Sequence, residues 1–184
     1  MRIKARLLFL IFLSHFNAVA DSQFGVAVSV GQSPFLGDLS GETSFSYEVQ
    51  IHTLFYESTS LPLEGFVAFE AMFVEASLSS ESVFPFSTSE KLRINTFLIA
   101  PTVCNVGVFQ FCLGLGQGTV NINQNLVKRD YGTWNYRGLL RYQVFEKFKL
   151  FAQVKYIGKV EIQSGTTRGH FTLLPITGGL AYRF

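Results

Sequence analysis

Residues 134–144 read WNYRGLLRYQV, and the division of that stretch into two faces decides the fold. Trp134, Tyr136, Gly138, Leu140, Tyr142 and Val144 share one parity, and Asn135, Arg137, Arg141 and Gln143 share the other. A period of two sends alternate side chains to opposite faces of an extended strand. The run is also long: a tilted strand needs about 9–11 residues to cross a bilayer, against a mode of about 5–6 in soluble sheets.

Seven more stretches repeat the pattern. Ahead of 134–144, Phe24, Val26, Val28 and Val30 alternate with small or polar residues, and Phe45, Tyr47, Val49, Ile51 and Phe55 with Ser46, Glu48, Gln50 and His52. Val67, Phe69, Ala71 and Phe73 oppose Glu70, while Leu92, Ile94, Leu98 and Ala100 are set against Lys91, Arg93 and Asn95. Phe109, Phe111, Leu113 and Leu115 oppose Gln110, Gly114, Gly116 and Gly118, where the glycines leave room for bulky side chains across the interior. After 134–144, Leu150, Ala152, Val154, Tyr156, Val160 and Ile162 oppose Gln153, Lys155, Lys159 and Glu161. The last run, Phe171 to Phe184, carries Leu174, Ile176, Leu180, Tyr182 and Phe184 on one face.

The links between runs alternate in length. Those near 58–63, 105–108 and 146–147 are short, and those near 33–43, 77–89, 122–133 and 163–170 are longer and more polar. Short periplasmic turns and long external loops mark outer-membrane barrels, and an even strand number puts both termini on the periplasmic side. The expected fold is therefore all-β: an eight-stranded antiparallel up-and-down transmembrane β-barrel. Alternation alone also fits a secreted soluble sandwich, in which the apolar face points inward. Strand length argues for the membrane, as do Trp134, Tyr136, Tyr142, Tyr156, Tyr182 and Phe184, placed near strand ends like interfacial girdles.

The chain begins with basic Arg2, Lys4 and Arg6, an apolar run Leu7 to Leu13, and Ala18-Val19-Ala20 before Asp21. This is the pattern of a secretory signal, so residues 1–20 are expected to be a cleaved signal peptide and 21–184 the barrel domain. The apolar run is too short for a spanning helix. Without the signal, twelve basic residues face thirteen acidic ones, a net charge of −1, which removes any nucleic-acid reading of the whole chain's +2. Cys104 and Cys112, eight residues apart, are a possible disulfide in an oxidising compartment. The assigned alternation, however, puts them on opposite parities. Neither a metal site nor a cofactor is expected: the histidines after the signal, His52 and His170, are far apart, and no nucleotide fingerprint is present.

The C-terminal Thr177-x-Gly179-x-x-Tyr182-x-Phe184 resembles the assembly signal of outer-membrane proteins. The resemblance implies recognition by the barrel assembly machinery, and the whole mature chain is similar in architecture to the small eight-stranded barrels typified by the outer-membrane protein A transmembrane domain.

A barrel of this size has an interior filled by its own side chains. On the assigned parities the lumen carries Glu48, His52, Glu70, Lys91, Arg93, Arg137, Arg141, Lys155, Lys159 and Glu161, read as an ionic network closing the bore. The functional expectation is a monomeric, non-enzymatic outer-membrane protein, in contact with lipopolysaccharide, with a structural or surface-interaction role through its external loops. The loop candidates are Phe35, Leu36, Val83, Phe84, Phe86 and Lys128 to Tyr131. Two alternatives stand beside it. One is lipid A modification, for which His170 with Ser164 or Thr172 and Glu161 is the best constellation, although it departs from the deacylase and palmitoyltransferase patterns. The other is passage of small anionic or apolar solutes, with Pro175 as a weak point in the last strand.

Overall fold

The computed structural model describes residues 24–42, 44–57, 61–77, 91–124, 127–164 and 167–184. The signal-like segment 1–20 and the loop residues Val83, Phe84 and Phe86 lie outside the described residues. Ten strand segments follow one another: β1 (Phe24–Gln32), β2 (Phe35–Gly37), β3 (Ser44–Glu57), β4 (Leu63–Ser77), β5 (Lys91–Asn105), β6 (Phe109–Gln124), β7 (Val127–Phe145), β8 (Phe148–Ser164), β9 (Thr167–Leu173) and β10 (Ile176–Arg183). β1 and β2 keep one register against β10 and β9, as Gln32 faces Ile176 and Phe35 faces Leu173. They are one stave interrupted at Ser33-Pro34, and β9 and β10 are one stave interrupted at Leu174-Pro175. Eight antiparallel staves result, each paired to its sequence neighbour, with the last pairing back to the first and closing the barrel. Closure leaves no strand edge unpaired, which is what a sheet in hydrocarbon requires.

The two prolines stand side by side at that closure. Leu174 N–H donates to the Pro34 carbonyl at 3.0 Å and Lys155 N–H to the Pro175 carbonyl at 2.9 Å. The reciprocal bonds are missing because proline has no N–H.

One end of the barrel, the turn end, holds residues 61–62 ahead of β4 and the short connections 106–108 and 146–147. It also holds both described chain ends, where Phe184 N–H donates to the Phe24 carbonyl at 3.0 Å. At the opposite, loop end the strands run further than the sequence suggests. β6 continues to Gln124 and β7 starts at Val127, so most of the expected loop 122–133 is ladder. Likewise β8 reaches Ser164 and β9 starts at Thr167.

The outer surface is zoned. A band of exposed apolar residues includes Val28, Val49, Ile51, Phe69, Phe97, Ile99, Leu113, Leu140 and Val154. Aromatic rings bound it on both sides. At the turn end, Phe109 lies 4.8 Å from Tyr142, Phe148 lies 4.8 Å from Tyr182, and Tyr182 lies 5.1 Å from Phe184. Toward the loop end, Tyr47 stacks on Phe73 at 5.1 Å and Tyr136 lies 6.3 Å from Tyr156, with Trp134 exposed beside them. Beyond the second girdle the outward side chains become ionic: Glu75, Arg93, Lys159 and Glu161.

Candidate functional site

The interior is built in three layers, set by the elements that frame them. The middle layer is ionic. Glu48 on β3, Glu70 on β4, Arg137 on β7 and Lys155 on β8 are all buried, and their side chains converge. Lys155 pairs with Glu48 and, at 2.5 Å, with Glu70, which also pairs with Arg137. Two carboxylates meet two cations, so the layer is neutral. Its remaining polar capacity is taken up locally: Gln50 Nε2 and Gln153 Nε2 each donate to Glu48 at 2.8 Å, and Gln153 Nε2 also to Thr177 Oγ1 at 2.9 Å. Arg137 Nε donates to Thr102 Oγ1 at 2.8 Å and its Nη2 to the Ala100 carbonyl at 3.1 Å. Charges taken out of water persist when paired and hydrogen-bonded in this way.

Glycine makes the room for this layer. A Cβ at Gly114 would sit 2.7 Å from Arg137 Nε, and one at Gly116 would sit 2.7 Å from the Ile99 carbonyl. Gly114 therefore leaves room for the long Arg137 side chain opposite, as the spacing of the glycines suggests, while Gly116 gives way to Asn135 and the β5 backbone.

At the turn end lies a second, cationic layer. Arg141 Nη1 is 3.8 Å and Lys149 Nζ 3.6 Å from Glu64 Oε1, while Lys149 Nζ donates to Gln110 Oε1 at 2.7 Å. The Arg141 guanidinium lies 4.1 Å from the Phe66 ring centroid, and the His52 ring is tilted against the same ring at 5.6 Å between centroids. Cys104 and Cys112, on facing positions of β5 and β6, form a disulfide inside this end of the bore. Glu64 and Lys149 escape the sequence reading because they fall at strand starts, next to links taken to be turns. Their agreement in parity with Glu70 and with Gln153 is the signal that finds them.

The third layer, toward the loop end, overturns an expectation. It is an apolar plug of Phe35, Leu39, Met72, Val74, Leu92, Ile94, Leu98, Val120, Ile157, Val160, Phe171 and Leu173, with Tyr131 packed against it. Arg93, expected in the lumen, faces outward and lies 3.7 Å from Glu75. Lys91 shares its parity on β5, opposite Ser77 in the β4 register. Lys159 and Glu161 also face outward and pair with each other at 3.0 Å. Two causes account for these corrections. On β5 the even parity is inward, so Leu92, Ile94 and Leu98 are core while Phe97, Ile99 and Val103 form the outer band. On β8 a register shift between Ile157 and Val160 exchanges the faces, which turns Val160 inward and leaves Lys159 and Glu161 in solvent. Of the expected loop contacts, Phe35 is buried in the plug and Leu36 is exposed. The side chains of Lys128, Arg129 and Asp130 lie outside the described residues.

The C-terminal motif has local partners. Thr177 is buried and accepts the Gln153 bond, a Cβ at Gly179 would meet the Phe151 ring at 2.8 Å, and Tyr182 and Phe184 complete the turn-end girdle. Of the expected His170 constellation, the side chain of Ser164 lies outside the described residues, Thr172 is buried while His170 is exposed, and Glu161 faces His170 across the β8–β9 ladder and pairs with Lys159. The carboxylate beside His170 is Asp38, with Oδ2 3.2 Å from Nδ1 and accepting the His170 backbone N–H at 2.8 Å. Gly37, at φ 90°, turns the chain to bring Asp38 there.

Among solved structures, the chain is similar to neisserial surface protein A, with a TM-score of 0.62 and 12% identity over 88% of this chain and 97% of that one. It has the fold of the small outer-membrane β-barrels. Similarity to other such barrels is looser. A major outer-membrane protein of Thermus thermophilus gives a TM-score of 0.49 at 11% identity, covering 90% of this chain and 100% of that one. The attachment invasion locus protein of Yersinia pestis, solved with a heparin analogue, gives 0.48 at 13% identity, covering 89% and 99%. No protein-family model and no curated protein matches the chain.

Proposed function

We propose that this barrel resides in the outer membrane as a closed, non-enzymatic element, with its turn end in the periplasm and its loop end outside the cell. The outer band supports insertion, since apolar side chains between two aromatic girdles suit hydrocarbon between two interfaces. The observation that carries the closed reading is the filled bore, in which buried Arg137 and Lys155 lock the waist and the apolar plug stops the outer half. In planar bilayers the protein is expected to give no discrete conductance steps, and regular steps would refute closure. For orientation, a cysteine at Ser40 should react with an impermeant maleimide on intact cells and one at Lys147 should not. The reverse labelling would overturn the assignment. The protruding end, in contact with lipopolysaccharide, then serves structure or surface contact. Biogenesis through the barrel assembly machinery, residence as a monomer and export directed by residues 1–20 belong to the same proposal.

The enzymatic alternative has one observation in its favour, the Asp38–His170 pair at the loop end. An acyl-transfer site also needs a nucleophile within hydrogen-bond reach of the base, and the Asp38–His170 pair by itself supplies only the base and the group that orients it. An unchanged lipid A mass spectrum after deletion of the gene is expected. A shifted acyl pattern restored by the wild type but not by His170→Ala would instead establish the enzyme.

A further inference from the structure

We infer that the turn-end mouth of the bore is a binding site for an oxyanion, a carboxylate or phosphate group inserted from that side. The mouth is lined by His52, Glu64, Phe66, Arg141, Lys147, Lys149 and Arg183. Among these described residues four basic side chains, Arg141, Lys147, Lys149 and Arg183, share a single carboxylate, Glu64. Two backbone features gather them: β10 ends beside the 146–147 turn, where Arg183 N–H donates to the Lys147 carbonyl at 2.9 Å, and β7 and β8 pair so that Arg141 and Lys149 flank Glu64.

The second observation is independent of the charge count. Arg141 is only 4% exposed and His52 8% exposed, yet Arg141 Nε and His52 Nδ1 have no hydrogen-bond partner in the protein. The one contact between Arg141 and Glu64 is long, at 3.8 Å. A buried guanidinium with an unused edge costs free energy that a planar acceptor recovers, because the Nε and Nη donors match two oxygens of one carboxylate or phosphate. The Phe66 ring forms the floor and holds the guanidinium plane in place. The cavity beside Arg141 is small, about 30 Å³, and open to the mouth, so only the charged tip of a ligand approaches the guanidinium while the rest stays outside. Lys147 and Arg183 at the rim supply attraction at longer range.

The test uses the folded barrel in lipid nanodiscs, with the Arg141 Nε–H resonance followed by NMR. Inorganic phosphate is one probe and acetyl-dialanine, with one free carboxylate, is the other; sodium chloride at equal ionic strength is the control. A saturable shift with phosphate alone identifies a free anion as the ligand, and one with the peptide identifies a carboxylate tail. Arg141→Lys is expected to weaken binding about tenfold or more, the scale of a charge-assisted hydrogen bond. The double variant Lys147→Gln, Arg183→Gln leaves the buried groups intact and should weaken binding several-fold, while Lys159→Gln at the far end should not. No saturable shift with either probe, or an equal shift with chloride, would overturn the inference. Should Arg141→Lys fail to fold, unchanged affinity in the rim double variant overturns it equally. The titration needs only the folded barrel, so its failure is separate from a failure of the proposed location.

Discussion

Two halves of β5 have the same parity and opposite chemistry. From Phe97 to Val103 the outward residues are apolar and the inward set includes Thr102, which holds Arg137. From Arg93 to Thr96 the outward positions are Arg93 and Asn95, while Ile94 is buried in the plug with Leu92 just before it. The backbone does not change between them; the surroundings do. Where hydrocarbon covers the outside, apolar groups gain nothing by turning inward, and the interior can be ionic. Where the strands rise into water, burial of apolar surface drives the usual inward packing, at about 25 cal/mol per Å². The protein is thus a membrane barrel for part of its height and a soluble barrel core above it.

Four substitutions probe this contrast, each measured by reversible urea unfolding in lipid vesicles. The largest effect is expected from Lys155→Met, which leaves Glu48 and Glu70 to share Arg137 and should cost about 3–5 kcal/mol. A loss below about 1 kcal/mol would show that the ammonium does not hold the waist together. Ile94→Ala opens a cavity in the plug and is expected to cost about 2–5 kcal/mol; a negligible change would mean that the upper half is loosely packed and the comparison fails there. Phe97→Arg, three residues on but on the outward band, should cost about 2–4 kcal/mol if that position meets the bilayer interior. Arg93→Ala lies on the same parity four residues higher, and a change within about 0.5 kcal/mol is expected because its pair with Glu75 is exposed. Equal penalties for the charged change at 97 and the neutral one at 93 would place the membrane boundary elsewhere.

The same contrast explains which parts of the site could be read from the sequence. In the band, Trp134 to Val144 declares its faces because outside and inside differ in one consistent sense, and Glu48, His52, Glu70, Arg137, Arg141 and Lys155 lie on the inward side. Above the band, Leu92 and Ile94 carry apolar character on the inward parity, so a single rule applied along the whole strand turned β5 over. The cysteines held the missing constraint: bonded partners on facing positions must share a face, which puts Cys104 inward and with it every even residue of β5. For Lys159 and Glu161 no such constraint exists, since the exchange of faces arises from one extra residue on β8 between Ile157 and Val160.

By itself the sequence determined strand number, alternation, the girdle aromatics and the close-spaced cysteine pair, because these depend on local period and on side-chain transfer between water and hydrocarbon. Only the tertiary structure decided where along each strand the solvent changes from lipid to water, which bulge exchanges faces, and that Glu64 and Lys149 join Arg141 at the turn end. Those depend on register between strands distant in sequence, and register is fixed by closure of the whole cylinder.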